Sequence, residues 1–229
     1  MKRACRINYF TLLFLFGFFP AESMAVGFGF NVTGGKGSTT WDANSYHFLG
    51  PSDNDFHFKT NNERAGRGIL FDTALGSNRV FNYRLNIGTE RVDYKINKVY
   101  RYRVHPGLSG TFETKGWFMS HDFGFKVFKN RSLRLWVGPE LRISRSEGRL
   151  DRDRKYEIDI STLGIGPVVG LNLNMGNTVC LTLKIGALAM ISDGELDNNA
   201  TGEDWDILSD ENSYKFANVG LVFRFGEGY

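Results

Sequence analysis

His121 stands in the run Trp117–Phe125 (WFMSHDFGF), and period-two counting places it on one face with Trp117, Met119, Phe123 and Phe125. An imidazole with a hydroxyl on the same face could activate that hydroxyl as a nucleophile. Ser120 is adjacent in sequence and so faces the other way. The following run, Leu133 to Ile143, offers no serine on the matching face. The residues predict no triad at His121, so the chain is expected not to be an enzyme. Ten further charges share a different parity: Asp72, Arg84, Glu90, Asp122, Lys126, Arg134, Glu140, Arg142, Lys184 and Arg224. Six are basic and four acidic. Buried charge is costly unless paired, so on an enclosed face these ten are expected to form an ion-pair network.

The remaining candidates are weaker. From Asp193 to Glu211 the chain holds eight acidic residues and no Lys or Arg. Asp197-Asn198-Asn199-Ala200-Thr201-Gly202 half-matches a calcium loop, but position twelve is Leu208 where a bidentate Glu is needed. His47 and His57 lie near Asp53 and Asp55, a loose metal suggestion. There is no phosphate-binding glycine loop and no Cys/His cluster, so no metal or cofactor is expected.

The elements that must position these residues are strands. Apolar and polar residues alternate over roughly 26–36, 67–76, 80–96, 110–128, 133–146, 156–174, 178–192 and 213–225, and no segment keeps a 3.6-residue period. Short polar links (Gly76–Arg79, Lys129–Ser132, Met175–Thr178) alternate with long ones at about 37–66, 97–109, 147–155 and 193–212. The parity between 89 and 96 shifts, which points to a bulge there. The apolar face is large and branched: Leu163, Ile165, Val169 and Leu171 in one run, Ala217, Val219, Leu221, Phe223 and Phe225 in the last. The opposite face is glycine, polar and charged. Small residues belong in the narrow interior of an eight-stranded barrel, which turns the apolar face to lipid. The fold expected is therefore all-β, an eight-stranded antiparallel up-and-down transmembrane β-barrel. From Trp117 to Phe125 a tilted strand rises about 19 Å, near the ~25 Å apolar band of such barrels.

The start of the chain reads as an export signal. Lys2, Arg3 and Arg6 precede the apolar run Phe10–Phe19, and Ser23-Met24-Ala25 ends it with small residues. Residues 1–25 are read as a cleaved signal peptide and 26–229 as the barrel domain. The net charge of +3 falls to +1 on cleavage, which removes three basic residues and Glu22, and argues against nucleic-acid binding. Cys5 lies in the leader, which leaves Cys180 alone and no disulfide possible within the chain.

The signal, the opening strand Val26-Gly27-Phe28-Gly29-Phe30, the alternating loop lengths and the closing strand Val219–Phe225 resemble the OmpA/OmpX-like bacterial outer-membrane β-barrel superfamily. The closing pattern is similar to the signal read by the barrel-assembly machinery, although four residues follow Phe225. The resemblance implies location in the bacterial outer membrane; contact with its lipid and lipopolysaccharide, and a monomer, are expected beside it. It brings no activity. The reading of function is a small barrel with a charge-plugged lumen and a structural or surface-interaction role through its outer loops. Alternatives are an outer-leaflet lipid-modifying enzyme built on His121, a narrow small-solute pore, or a soluble periplasmic lipocalin-like barrel with its faces inverted. Basic residues about the second loop (Lys95, Lys98, Arg101, Arg103, His105) and the third (Arg145, Arg149, Arg152, Arg154, Lys155) are candidates to meet lipopolysaccharide phosphates.

Overall fold

The computed structural model describes residues 26–44, 46–47, 50–51, 56–73, 80–101, 110–130, 132–150, 156–198 and 203–225. The leader 1–25 and the link Gly76–Arg79 lie outside the described residues. Eight long strands close into one antiparallel barrel: β1 Val26–Asn44, β2 Phe56–Asp72, β3 Phe81–Arg101, β4 Thr111–Lys129, β5 Leu133–Leu150, β6 Tyr156–Met175, β7 Val179–Asn198 and β8 Glu203–Phe225. Each pairs with its neighbours in sequence, and β1 pairs with β8 to seal the wall. A separate ladder joins Tyr46–His47 to Gly50–Pro51.

The tight links at one end carry turn chemistry. Asn130 Oδ1 accepts from the backbone N–H groups of Ser132 (2.9 Å) and Leu133 (2.7 Å), which closes the β4–β5 turn. Gly176 takes φ 74° in the β6–β7 turn, where a Cβ would be strained. Both termini of the barrel wall lie at this end, called here the turn end; the other is the loop end.

Register fixes the tilt. Followed once round the wall, Val32 leads through Arg67, Thr89, Trp117, Arg145, Ser161, Asp193 and Leu208 back to β1 at Asp42. The return lies ten residues further along β1. For eight strands that stagger implies a tilt of about 40°, so each residue gains about 2.5 Å of height.

The strands run well past their expected ends. Positions 37–44 and 56–66 are strand where a long loop is expected, and so are 193–198 and 203–212. The parity at 89–96 is unbroken. The shift falls at Asn97, where Lys98 pairs with Lys59 and Ile96 with Thr60.

The physical reason is a reversal of facing. Near the turn end of β2, Ile69 and Phe71 point out and Asp72 points in; near its loop end, Phe56 and Phe58 point in and His57 and Lys59 point out. In β8, Phe225, Phe223, Leu221 and Val219 point out, whereas further along Trp205 and Ile207 point in and Asp204 and Asp206 out. A strand that swaps its apolar face midway shows no sustained period-two pattern.

Candidate functional site

The interior is layered. Asp72, Arg84, Asp122 and Glu140 follow one another along a single register line across β2, β3, β4 and β5. Arg84 sits between two acids on that line. It donates from Nε to Asp72 Oδ2 (2.7 Å) and from Nη2 to Asn172 Oδ1 (2.8 Å), with its guanidinium 4.9 Å from the Trp136 ring centre. Beside it, Arg134 donates to Asn82 Oδ1 (3.4 Å), and Arg224 donates to Asn174 Oδ1. Trp136 is fully buried here. A Cβ on Gly170 would fall 2.0 Å from its ring, and one on Gly124 2.8 Å, so two glycines make the room for one indole.

Asp122 and Glu140 face each other across β4 and β5 and would repel. Lys184, reaching in from β7, resolves this with all three of its ammonium hydrogens. Nζ lies 2.9 Å from both Asp122 carboxylate oxygens and 2.7 Å from Glu140 Oε2. The next layer is Glu90, gripped by Arg142 (2.6 Å) and Arg64 (3.6 Å). Arg142 also lies over Phe118 at 4.1 Å, and Arg64 over Tyr214 at 5.1 Å. Asp72, Arg84, Asp122, Glu140, Lys184, Glu90, Arg142 and Arg64 are buried, which makes their pairing obligatory.

Towards the loop end the charges stop and aromatic residues fill the bore. Trp41, Phe56, Phe58, Tyr94, Phe112 and Trp205 form one cluster with Val92, Ile158, Ile160, Leu196 and Ile207. Trp41 stacks on Phe58 and donates from Nε1 to Thr60 Oγ1 (3.1 Å); Tyr94 stacks on Phe112 at 4.6 Å.

Of the ten charges singled out in sequence, Asp72, Arg84, Glu90, Asp122, Arg134, Glu140, Arg142 and Lys184 are buried in the lumen, and Lys126 and Arg224 are partly buried near the turn end. Among them Arg84 pairs with Asp72, Lys184 with Asp122 and Glu140, and Arg142 with Glu90. Sequence reasoning missed Arg64 and the aromatic cluster. Arg64 lies in Thr60-Asn61-Asn62-Glu63-Arg64, where both faces are polar and alternation has no apolar member to reveal it. The signal that could have found the cluster is the spacing of Trp41, Ala43, Phe56 and Phe58 in the supposed loop.

His121 has a neighbour that a count along its own strand does not reveal. It keeps the outward parity but is only 5% exposed, shielded by its surroundings, and its Nδ1 lies 2.6 Å from the Tyr83 hydroxyl on β3. Tyr83 sits one diagonal step away, so a search for serine passes over it. Ser120 faces the lumen. His57 pairs with Asp42 through Nδ1; Asp53 and Asp55 lie outside the described residues. Asp193 and Glu195 of β7 and Asp204, Asp206 and Glu211 of β8 point outward, and among the described residues no His/Cys/Asp/Glu group is placed to hold a metal. The Asp193 carboxyl is raised from its ordinary value by burial first and then by the charge of Asp159, against its own backbone amide. Arg145 and Arg149 are held on the wall by Asp159 (2.5 Å) and Glu157 (2.7 Å). Arg103, His105, Arg152, Arg154 and Lys155 lie outside the described residues.

A closed antiparallel wall of eight strands, apolar outside and charged inside, has a counterpart among solved structures. The outer membrane protein OprG from Pseudomonas aeruginosa superposes with a TM-score of 0.57 over 90% of this chain and 98% of its own, at 10% identity. The chain has the fold of an outer-membrane β-barrel. The outer membrane protein AlkL (TM-score 0.46, 11% identity, 93% of this chain and 97% of that one) is more distant. So is a major outer membrane protein from Thermus thermophilus (0.45, 12%, 83% and 99%). No known family and no curated protein matches the sequence. The likeness is one of fold, and it agrees with the superfamily resemblance of the strands. In the turn-end half the charged faces point in and the apolar faces out, the reverse of the lipocalin-like alternative.

Proposed function

We propose that this chain is an outer-membrane barrel with a closed bore, which works as an anchor presenting its loop end at the cell surface. The observation that carries the reading is the reversal of facing along the strands. A soluble barrel keeps its apolar side chains inside over its whole length. Here Phe28, Phe30, Val32, Ile165, Ile185 and Phe225 are each at least 40% exposed around one zone, while the same zone holds charge inside. From Phe225 to the first outward charge of β8, Lys215, the wall rises about 25 Å, the height of an outer-membrane apolar band. Beyond that height the outer face is ionic and the interior apolar, as in a protein bathed in water.

The closed bore argues for anchorage over conduction. Trp136, the Lys184 and Glu90 groups and the Trp41 cluster succeed one another along the axis, each buried. An eight-stranded wall leaves an interior that side chains alone can fill. Catalysis on the outer wall would need a base beside an activated nucleophile. The hydroxyl at His121 Nδ1 is the phenol of Tyr83, and Ser120 is turned into the lumen. Envelope fractionation tests the reading: the protein should resist carbonate extraction and migrate as a compact band in unboiled gels. Planar-bilayer recordings should show no stable conductance. Release by carbonate would refute membrane insertion, and a steady unitary current would refute the closed bore.

A further inference from the structure

The outer wall carries uneven charge just where its apolar zone ends. Around most of that border each cation has its acid: Arg91 is 2.8 Å from Glu113, Lys115 is 3.0 Å from Glu113, and Arg145 is held by Asp159. The face made by β8, β1 and β2 differs. Its rows, in register, are Val219–Val32–Arg67, then Ala217–Gly34–Ala65, then Lys215–Lys36–Glu63. Ala217, Gly34 and Ala65 lie side by side, with Lys215 and Lys36 in the row on the loop side, Arg67 at the end of the row on the turn side, and Glu63 beside Lys36. Lys36 is shared with Glu63 at 2.7 Å, whereas Arg67 and Lys215 have no carboxylate within ion-pair reach among the described residues. At Gly34 the nearest atom to a Cβ is the Arg64 carbonyl oxygen, 3.9 Å away, so the row is a shallow open saddle.

Below the saddle, towards the turn end, the same three strands expose Phe30 (58%), Val32 (60%), Ile69, Val219 and Leu221. The patch therefore offers acyl chains an apolar wall and, directly above it, a seat of positive charge. Long Arg and Lys side chains at such a border extend their charged heads towards the headgroup layer. We infer that Arg67, Lys36 and Lys215, set around Gly34, form a seat for the phosphate headgroup of an acylated lipid in the surrounding leaflet. The inference rests on the membrane reading above. A free phosphate lacks the apolar half of the site, so the occupant is a lipid that carries its phosphate at the level of the saddle.

The test uses the full barrel refolded in nanodiscs of neutral phospholipid doped with diphosphorylated lipid A, with retained lipid counted by native mass spectrometry after transfer to detergent. Each of Lys36→Gln, Arg67→Gln and Lys215→Gln should weaken retention about fivefold, and the triple variant about a hundredfold. Gly34→Leu leaves every charge in place and has room to fold, yet fills the saddle; it should lose at least as much as one charge. Arg91→Gln with Lys115→Gln, on the paired part of the border, should change nothing. Wild-type retention by the triple variant or by Gly34→Leu would overturn the seat, as would a loss equal to theirs in the Arg91/Lys115 variant. Displacement by millimolar inorganic phosphate would make the ligand a soluble anion and also overturn it. A protein that fails to enter the nanodisc refutes the membrane reading instead, and compact migration of unboiled samples separates that case from a failed seat.

Discussion

Replacing Lys184 by Met is the sharpest test of the lumen. The ammonium makes three contacts, at 2.9, 2.9 and 2.7 Å, to two acids that face each other across adjacent strands. Met keeps the unbranched apolar stem as far as Cε and deletes the ammonium, which lies 5.3 Å from the centre of the Phe216 ring. Removing one partner of a buried pair costs about 3–5 kcal/mol, because the other is left uncompensated. Here two carboxylates are left, so the upper end of that range applies. With a urea slope of about 2 kcal/mol/M, the unfolding midpoint should fall by about 2.5 M. The assay is urea titration of the refolded barrel in micelles, read by tryptophan fluorescence and by the compact gel band. Adding Asp122→Asn and Glu140→Gln to Lys184→Met removes the stranded charges and should restore at least half of the loss. A Lys184→Met barrel within about 1 kcal/mol of wild type would refute the reasoning, since so small a cost is that of a solvent-screened surface pair. A triple variant no more stable than the single would refute it too.

Three further outcomes follow from the layers. Gly170→Val drives a side chain into the Trp136 ring and should cost about 1–3 kcal/mol in the same titration; Trp136→Leu on that background should recover part of it, and no cost at all would contradict the close approach. Trp41→Ala removes the indole from the loop-end cluster and should cost about 3–5 kcal/mol, with faster amide exchange confined to the loop-end halves of β1 and β2; uniform acceleration over the barrel would contradict a local cluster. Asp193 lies beyond the apolar zone, and burial raises its proton affinity in the folded chain. A carboxyl raised on folding costs nothing when protonated in both states, and its ionised form costs stability as pH rises from about 4. Asp193→Asn should therefore gain on wild type as pH increases through that range, and parallel pH profiles would contradict this.

The strand count, the alternation and the identity of the lumen face were legible because, near the turn end, each strand has one solvent, lipid, on one side and a narrow bore on the other. Val219, Leu221, Phe223 and Phe225 can alternate with Asn218, Gly220 and Arg224 only in that setting. The loop-end halves were illegible for the converse reason. At Asn61-Asn62-Glu63-Arg64 the preferences of the two faces cross over, and a window spanning the crossing averages to polar. The residues beyond it, such as Trp205, Asp206, Ile207 and Leu208, read as an acidic loop until the interior is known to be aromatic there. The pairing of Tyr83 with His121 needed the β3–β4 register, which places Phe123 opposite Tyr83 and so His121 one diagonal step away; no count along one strand reports that.

The charges of the lumen have a consequence for register that the outer wall cannot have. The lipid-facing surface is built from interchangeable branched residues, so a slip of two residues between neighbouring strands would leave every side chain on its proper face. Outside, Leu181, Leu183 and Ile185 of β7 could trade places at little cost. Inside, the same slip moves a residue by about 7 Å along the strand. It would carry Lys184 out of reach of both Asp122 and Glu140, Arg84 away from Asp72, and Trp136 off the gap left by Gly124 and Gly170. Each such separation strands a buried charge or drives an indole into backbone, at several kcal/mol apiece. Well-packed leucines in place of the ion pairs could match them in stability alone, but leucines would not distinguish one register from the next. Placement of complementary charge on different strands does, and it reaches past immediate neighbours, from Lys184 on β7 to Asp122 on β4 and Glu140 on β5 and from Arg142 on β5 to Glu90 on β3.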